Sequence, residues 1–176
     1  MANDPNWNLP EVPSFELSSP DFTNGDRLPL WARGSGEGAE DRSPTLSWSG
    51  APEATRSFTL TVYDPDAPTG SGYWHWAVYN IPATVTALPA DAGNPQAGLL
   101  PEGAITLPNT ATKERYLGAA PPAGHGAHRY FFTVSALDVP FLEIPAGSTP
   151  AVLGFTLRNH IIGRAQLMGI AETPAR

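Results

Sequence analysis

The stretch RSFTLTVYD, residues 56–64, alternates apolar Phe58, Leu60 and Val62 with Thr59, Thr61 and Tyr63. That period of two marks a strand with one face buried. It stops at DPDAPTGSG (64–72), a dense cluster of turn formers. The chain resumes with YWHWAVYN (73–80), dominated by the aromatic and β-branched residues that central strands prefer, and ends before Pro82. A third run, HRYFFTVSALD (128–138), puts His128, Tyr130, Phe132, Val134 and Ala136 on one face. On an unbroken strand His75 shares a face with Ala77 and Tyr79, opposite Trp74, Trp76 and Val78. These three runs make the chain predominantly β.

Outward from them the chain is punctuated by turns. It carries 20 Pro and 17 Gly spread over its 176 residues, as short strands joined by many loops require. Residues 1–44 read as an extended lead-in, most clearly over 1–14, with short edge strands and a mobile loop at GSGEGAEDRSP (34–44). From Ile81 to about Gly126 only Ala104–Leu107 has strand character; so long an irregular stretch in a compact domain points to a functional loop. Near the end, Thr149 suits a helix N-cap and Pro150 the first helical position. Leu153, Leu157, Ile161 and Ala165 then recur every four residues, predicting a helix with one apolar stripe. A closing strand is expected at Gln166–Ile170. No repeat or second boundary divides the chain, so residues 1–176 form one domain.

Charge and composition exclude several classes. With 10 Lys and Arg against 17 Asp and Glu, the net charge of −7 repels nucleic-acid phosphates, and no basic run is present to track a backbone. No stretch approaches the ~20 apolar residues of an integral membrane segment. The N-terminus shows neither the basic nor the apolar part of a signal peptide, and cysteine is absent; a cytoplasmic location is expected.

Asp64, Asp66, His75 and His128 all fall at strand ends beside Pro- or Gly-rich loops, where pockets form. Taken singly, each has an ordinary role: a satisfied core histidine, strand polarity, an Asp-Pro turn. Together they compose an anion site. Imidazole N–H groups donate to the anion, and a carboxylate orients the ring from behind. Backbone amides of LGAAPPAGHGAH (117–128) are available to the same anion. His128 is expected to be only partly packed, His125 a plain loop residue and His160 a helix-surface one.

DPDAP (64–68), YWHWAVYNIP (73–82) and GAAPPAGHGAHRYFF (118–132), with LSWSGAP (46–52) before them, resemble the signature regions of the phosphatidylethanolamine-binding proteins, in particular the bacterial Raf-kinase-inhibitor-like branch. The resemblance runs from about Phe15 to the end. It implies a large antiparallel Greek-key sheet packed on a smaller one, with one C-terminal helix. It implies that Asp64, His75 and His128 line a small anion pocket, with Asp66, Pro122 and Tyr130 around it. It implies a binding module for a phosphate-type group of a small molecule, phospholipid head group or phosphorylated peptide, with a kinase or protease as a protein partner and no cofactor. Ala120 stands where many members have Gly, and the further C-terminal helix of eukaryotic members has no counterpart before Arg176, so a more open pocket is expected.

Two enzymatic alternatives use the same residues. A hydrolase would employ a histidine as general base, but there is no G-x-S-x-G and no cysteine nucleophile. A metal-dependent enzyme would use Asp64, His75 and His128 as a two-His, one-carboxylate set, without the spacing of a compact ligand motif. Binding without catalysis is the expectation.

Overall fold

The computed structural model describes residues 4–176. Nine regular elements follow in order: β1 (Glu16–Ser18), β2 (Leu46–Ser49), β3 (Ser57–Asp64), β4 (Tyr73–Pro82), β5 (Ala87–Leu88), β6 (Ile105–Thr106), β7 (His128–Leu137), α1 (Pro150–Leu157) and β8 (Ile161–Ala171). A short 3₁₀ turn at Leu30–Ala32 precedes β2. All strand pairings between these elements are antiparallel. One sheet has the order β1-β2-β5, the other β6-β4-β3-β7-β8. Within the second, β7 returns by a long connection to lie beside β3, the 4-1-2-3 arrangement of a Greek key.

The apolar alternation decides where the two sheets meet. Leu17, Leu46, Trp48 and Leu88 of the small sheet pack on Phe58, Leu60, Val62, Phe132 and Val134 of the large one. The opposite face of the large sheet is partly covered by α1, through Leu153 against Ala77, Tyr79 and Leu137.

The lead-in expected over 1–14 lies outside the described residues at 1–3. From Asp4 it makes a tight turn, Trp7 N–H donating to Asp4 C=O (3.2 Å), and then runs beside β8 with Arg164 N–H donating to Pro13 C=O (3.0 Å). The loop at 34–44 is anchored rather than loose. Gly34 N–H donates to Ala119 C=O and Asp41 N–H to Arg33 C=O, each at 3.0 Å. The long segment after Ile81 follows β4 closely, with Leu107, Thr110 and Leu117 N–H groups donating to the carbonyls of Ala77, Trp74 and His75.

Two expectations are corrected. The helix is about two turns shorter than its apolar spacing predicts: it ends at Leu157, and Ile161 and Ala165 belong to β8. A spacing of four is also a multiple of two, so both residues fit either period. Burial along β8 alternates at every second residue, and Gly163 and Gly169 disfavour helix. His160 consequently lies in the turn between α1 and β8, where its ring meets Asp138 (3.2 Å), and not on a helix surface.

The second correction concerns the faces of β4. Val62 pairs with Trp76, but the next residue, Tyr63, pairs with Trp74. His75 is therefore the extra residue of a β-bulge. The bulge turns His75 to the same side as Trp76, against Tyr130 (ring centroids 5.1 Å), while Ala77 and Tyr79 face the helix. Trp74 alone of the three expected residues lies opposite, stacked on Tyr63.

Candidate anion pocket

The ends of β3, β4 and β7 converge with the loops at 34–41 and 117–122 on a pocket of about 410 Å³. Asp64, His75, Pro122, His128 and Tyr130 line it. Asp64, His75 and His128 are only 2 %, 6 % and 1 % exposed, so the side chains are packed at least as tightly as the core. The expectation that His128 is only partly packed is wrong, because its ring is held on both sides.

His128 Nδ1 lies 2.8 Å from Asp64 Oδ2, and its Nε2 lies 2.7 Å from His125 Nδ1. His75 Nδ1 lies 2.9 Å from Leu117 C=O. These partners fix the protons. A carbonyl only accepts, so His75 carries hydrogen on Nδ1, and its Nε2 is a lone pair while the ring is neutral. Burial lowers the pKa of His75 below its ordinary value, although the Leu117 carbonyl and the Asp64 carboxylate oppose this. The Asp64 carboxylate likewise accepts from His128 Nδ1–H. In neutral His128 the Nε2 lone pair then accepts from His125 Nδ1–H. Neutral His75 thus turns an acceptor, not a donor, to the pocket, while both ring nitrogens of His128 are already engaged.

Four of the loop amides are already engaged. Leu117 N–H donates to His75 C=O, Gly118 N–H to Asp41 Oδ1 (2.7 Å), Gly124 N–H to Thr173 C=O and His125 N–H to Pro122 C=O. Burial, reinforced by the Asp64 carboxylate, pushes the pKa of the Tyr130 hydroxyl far up.

Asp66 is not brought into the pocket lining. Its carboxylate forms a two-pronged pair with Arg129 (Nε to Oδ2 and NH2 to Oδ1, both 2.8 Å) and also accepts the Arg129 N–H. Hydrogen bonding to Arg129 holds its carboxyl below the usual range. Its place is structural, clamping the β3–β4 turn to the start of β7. Asp41, Gly118 and His125 complete the surroundings and were not singled out by sequence reasoning. His125 is flanked by Gly124 and Gly126, both at positive φ (74° and 89°), which lets its ring turn back onto His128.

The sequence profile of the phosphatidylethanolamine-binding proteins matches residues 18–172. The chain is 43 % identical over 164 residues to the UPF0098 protein YbcL of Escherichia coli K12, covering 92 % of this chain and 90 % of that one. The chain belongs to the phosphatidylethanolamine-binding protein family. The crystal structure of E. coli YbcL superposes with a TM-score of 0.85 at 42 % identity, over 90 % of this chain and 98 % of that one. A Mycobacterium tuberculosis relative, 32 % identical over 93 % of this chain and 75 % of its own, bears the name putative lipoprotein LppC. No helix among the described residues is long and apolar enough to cross a membrane.

Within this phosphatidylethanolamine-binding protein fold, the demand for glycine falls at Gly118, not at position 120. Ala120 is exposed on the pocket rim and accommodates its Cβ. A Cβ on Gly118 would lie 2.2 Å from the Arg33 carbonyl carbon and 2.4 Å from Gly34 N, both backbone atoms. Gly118→Ala is expected to cost about 1–3 kcal/mol by forcing the two pocket-wall loops apart. Gly70→Ala, with nothing within 4 Å, is the near-neutral control in the same urea titration. Equal midpoints for the two variants would show that the loops separate freely.

Proposed function

We propose that the pocket holds the anionic group of a phosphorylated or carboxylated molecule and takes up a proton as it does so. The observation that carries this reading is the convergence of buried Asp64, His75 and His128 on one cavity of about 410 Å³. Family membership supports ligand binding in general; the anion is our inference from the side chains. A phosphate meeting the His75 Nε2 lone pair beside the Asp64 carboxylate is repelled, so one proton must accompany it. Either His75 becomes imidazolium and donates from Nε2, or the ligand arrives as the monoanion and its own O–H donates. The cavity has the size of a head group, so a phospholipid, a phosphopeptide or a free phosphate ester would present the same chemistry.

Binding without bond cleavage fits the lining better than turnover. Among the described residues Thr69 is its single aliphatic hydroxyl, and that group already donates to Gly72 C=O (2.6 Å). No group of three or more His, Cys, Asp or Glu among the described residues is arranged to hold a metal ion. The acidic, cysteine-free composition leads us to place the chain in the cytoplasm.

Phosphoethanolamine titrated into the protein, with the imidazole resonances followed by NMR, tests the reading. Saturable shifts at His75 and His128 are expected. His75→Phe keeps a ring against Tyr130 but removes the proton site, and should weaken binding about tenfold or more. Unmoved imidazoles at saturating ligand, or unchanged affinity in the variant, would remove the reading.

A further inference from the structure

A second cavity, of about 650 Å³, lies on the other face of the large sheet, between α1 and the lead-in segment. Its floor is polar where an outer sheet face against a helix is ordinarily apolar. Thr59 pairs with Ser135 across β3 and β7, and Thr61 with Thr133. On β8, Arg164 stands opposite Ser135 and Gln166 opposite Thr133. Thr59 and Ser135 are only 1 % and 5 % exposed, and among the described residues neither hydroxyl has a hydrogen-bond partner. Neither hydroxyl is sealed away, since both residues line the cavity, so the row offers it two uncommitted donor–acceptor groups.

The walls add two features. At one end the Tyr63 and Trp74 rings, 4.3 Å apart, form an aromatic block. At the other, the Arg164 guanidinium is half-buried and, among the described residues, meets only the Pro10 carbonyl, through both terminal nitrogens at 3.3 Å. No carboxylate neutralises it among the described residues. Arg158, stacked 4.1 Å from the Phe155 ring, is a second cation on the lining, against Asp4 as the single acid. In a chain of net charge −7, this cavity is locally cationic.

We propose that this cavity binds a sugar ring bearing one acidic group, a sugar acid or sugar phosphate. Hydroxyls that both donate and accept pair with Thr59, Thr61, Ser135 and Gln166, whereas an apolar ligand would leave the floor unsatisfied. The acidic substituent pairs with Arg164. The apolar face of the ring lies on the aromatic block.

The test uses glucuronate, glucose 6-phosphate and neutral methyl glucoside, with amide shifts of β3, β7 and β8 followed by NMR. Saturable binding of both anions is expected at Thr61, Thr133 and Gln166, with methyl glucoside about tenfold weaker. Arg164→Gln should weaken glucuronate by a similar factor. Thr61→Val, which leaves the Pro10 contact intact, should weaken it about fivefold, the worth of one hydrogen bond. His75→Phe, in the pocket on the opposite face, should leave the glucuronate response of the Thr61, Thr133 and Gln166 amides unchanged. Absence of saturable shifts in wild type, equal affinity for methyl glucoside, or a loss in His75→Phe that spares Arg164→Gln would each overturn the proposal.

Discussion

Trp76→Ala is expected to lower stability by about 3–5 kcal/mol and to weaken anion binding in whatever fraction remains folded. Trp76 is fully buried, edge-on to Tyr116 (ring centroids 5.9 Å) and paired with Val62 in the centre of the inter-sheet core. Truncation removes a large apolar body from a site walled by strands on both sides, where collapse is limited. The indole N–H has no partner among the described residues, so the loss is one of packing and cavity, with no broken hydrogen bond to add. The second half of the expectation follows from the bulge. His75 and Trp76 lie on one side of β4, and Trp76 belongs to the same core cluster as Tyr130, the ring against which His75 packs. Had the strand been regular, Trp76→Ala would leave the pocket untouched. Urea unfolding together with phosphoethanolamine titration of the variant separates the two cases. Stability loss below about 1 kcal/mol would contradict the core placement, and unaltered affinity would contradict the shared face.

The same bulge shows where sequence reading reaches its limit. Alternation in RSFTLTVYD and HRYFFTVSALD predicted β3 and β7 almost to the residue, because each has one face in the core throughout. YWHWAVYN gave β4 as an element but not its faces. Nothing in its aromatic run marks where the register slips, since the extra residue is defined only by the partner strand. The C-terminal helix failed for a related reason: Leu157, Ile161 and Ala165 satisfy two periods at once, and packing against β7 decided for the strand. At the site, Asp64, His75 and His128 were legible because strand ends beside Pro-rich turns converge. Asp66 was legible as a partner of that cluster but not as the clamp on Arg129, which is the very next residue after His128. His125 looked like loop filler. The signal for it was present in its two flanking glycines, which free the backbone to fold the ring onto a histidine three residues on.

Affinity for a sulfate ester is expected to fall with rising pH while the stability of the free protein rises. The groups facing His75 are Asp64, Asp41, His128, Tyr73 and Tyr130. Burial dominates among their influences and depresses the pKa of His75 below the unfolded value of ~6.5. In the free protein the folded state therefore binds fewer protons than the unfolded state. Its stability is lost as pH falls from ~6.5 towards the folded pKa, and regained above it. Ligation reverses the balance, because an anion against Nε2 favours imidazolium. Above the free pKa and below the bound one, each ligand carries one proton in, and affinity drops up to tenfold per pH unit. Phenyl sulfate is the suitable probe, since it has no proton of its own to titrate near ~6 as a phosphate ester does. Between pH 6.5 and 8 the expected weakening is about 10–30-fold. His75→Gln should flatten both profiles: the free protein no longer loses stability to this group in mild acid, and the residual affinity no longer follows pH. Calorimetry in two buffers of different protonation enthalpy counts the protons directly. An uptake near zero at pH 7 would mean that the anion is held without imidazolium, by groups other than His75.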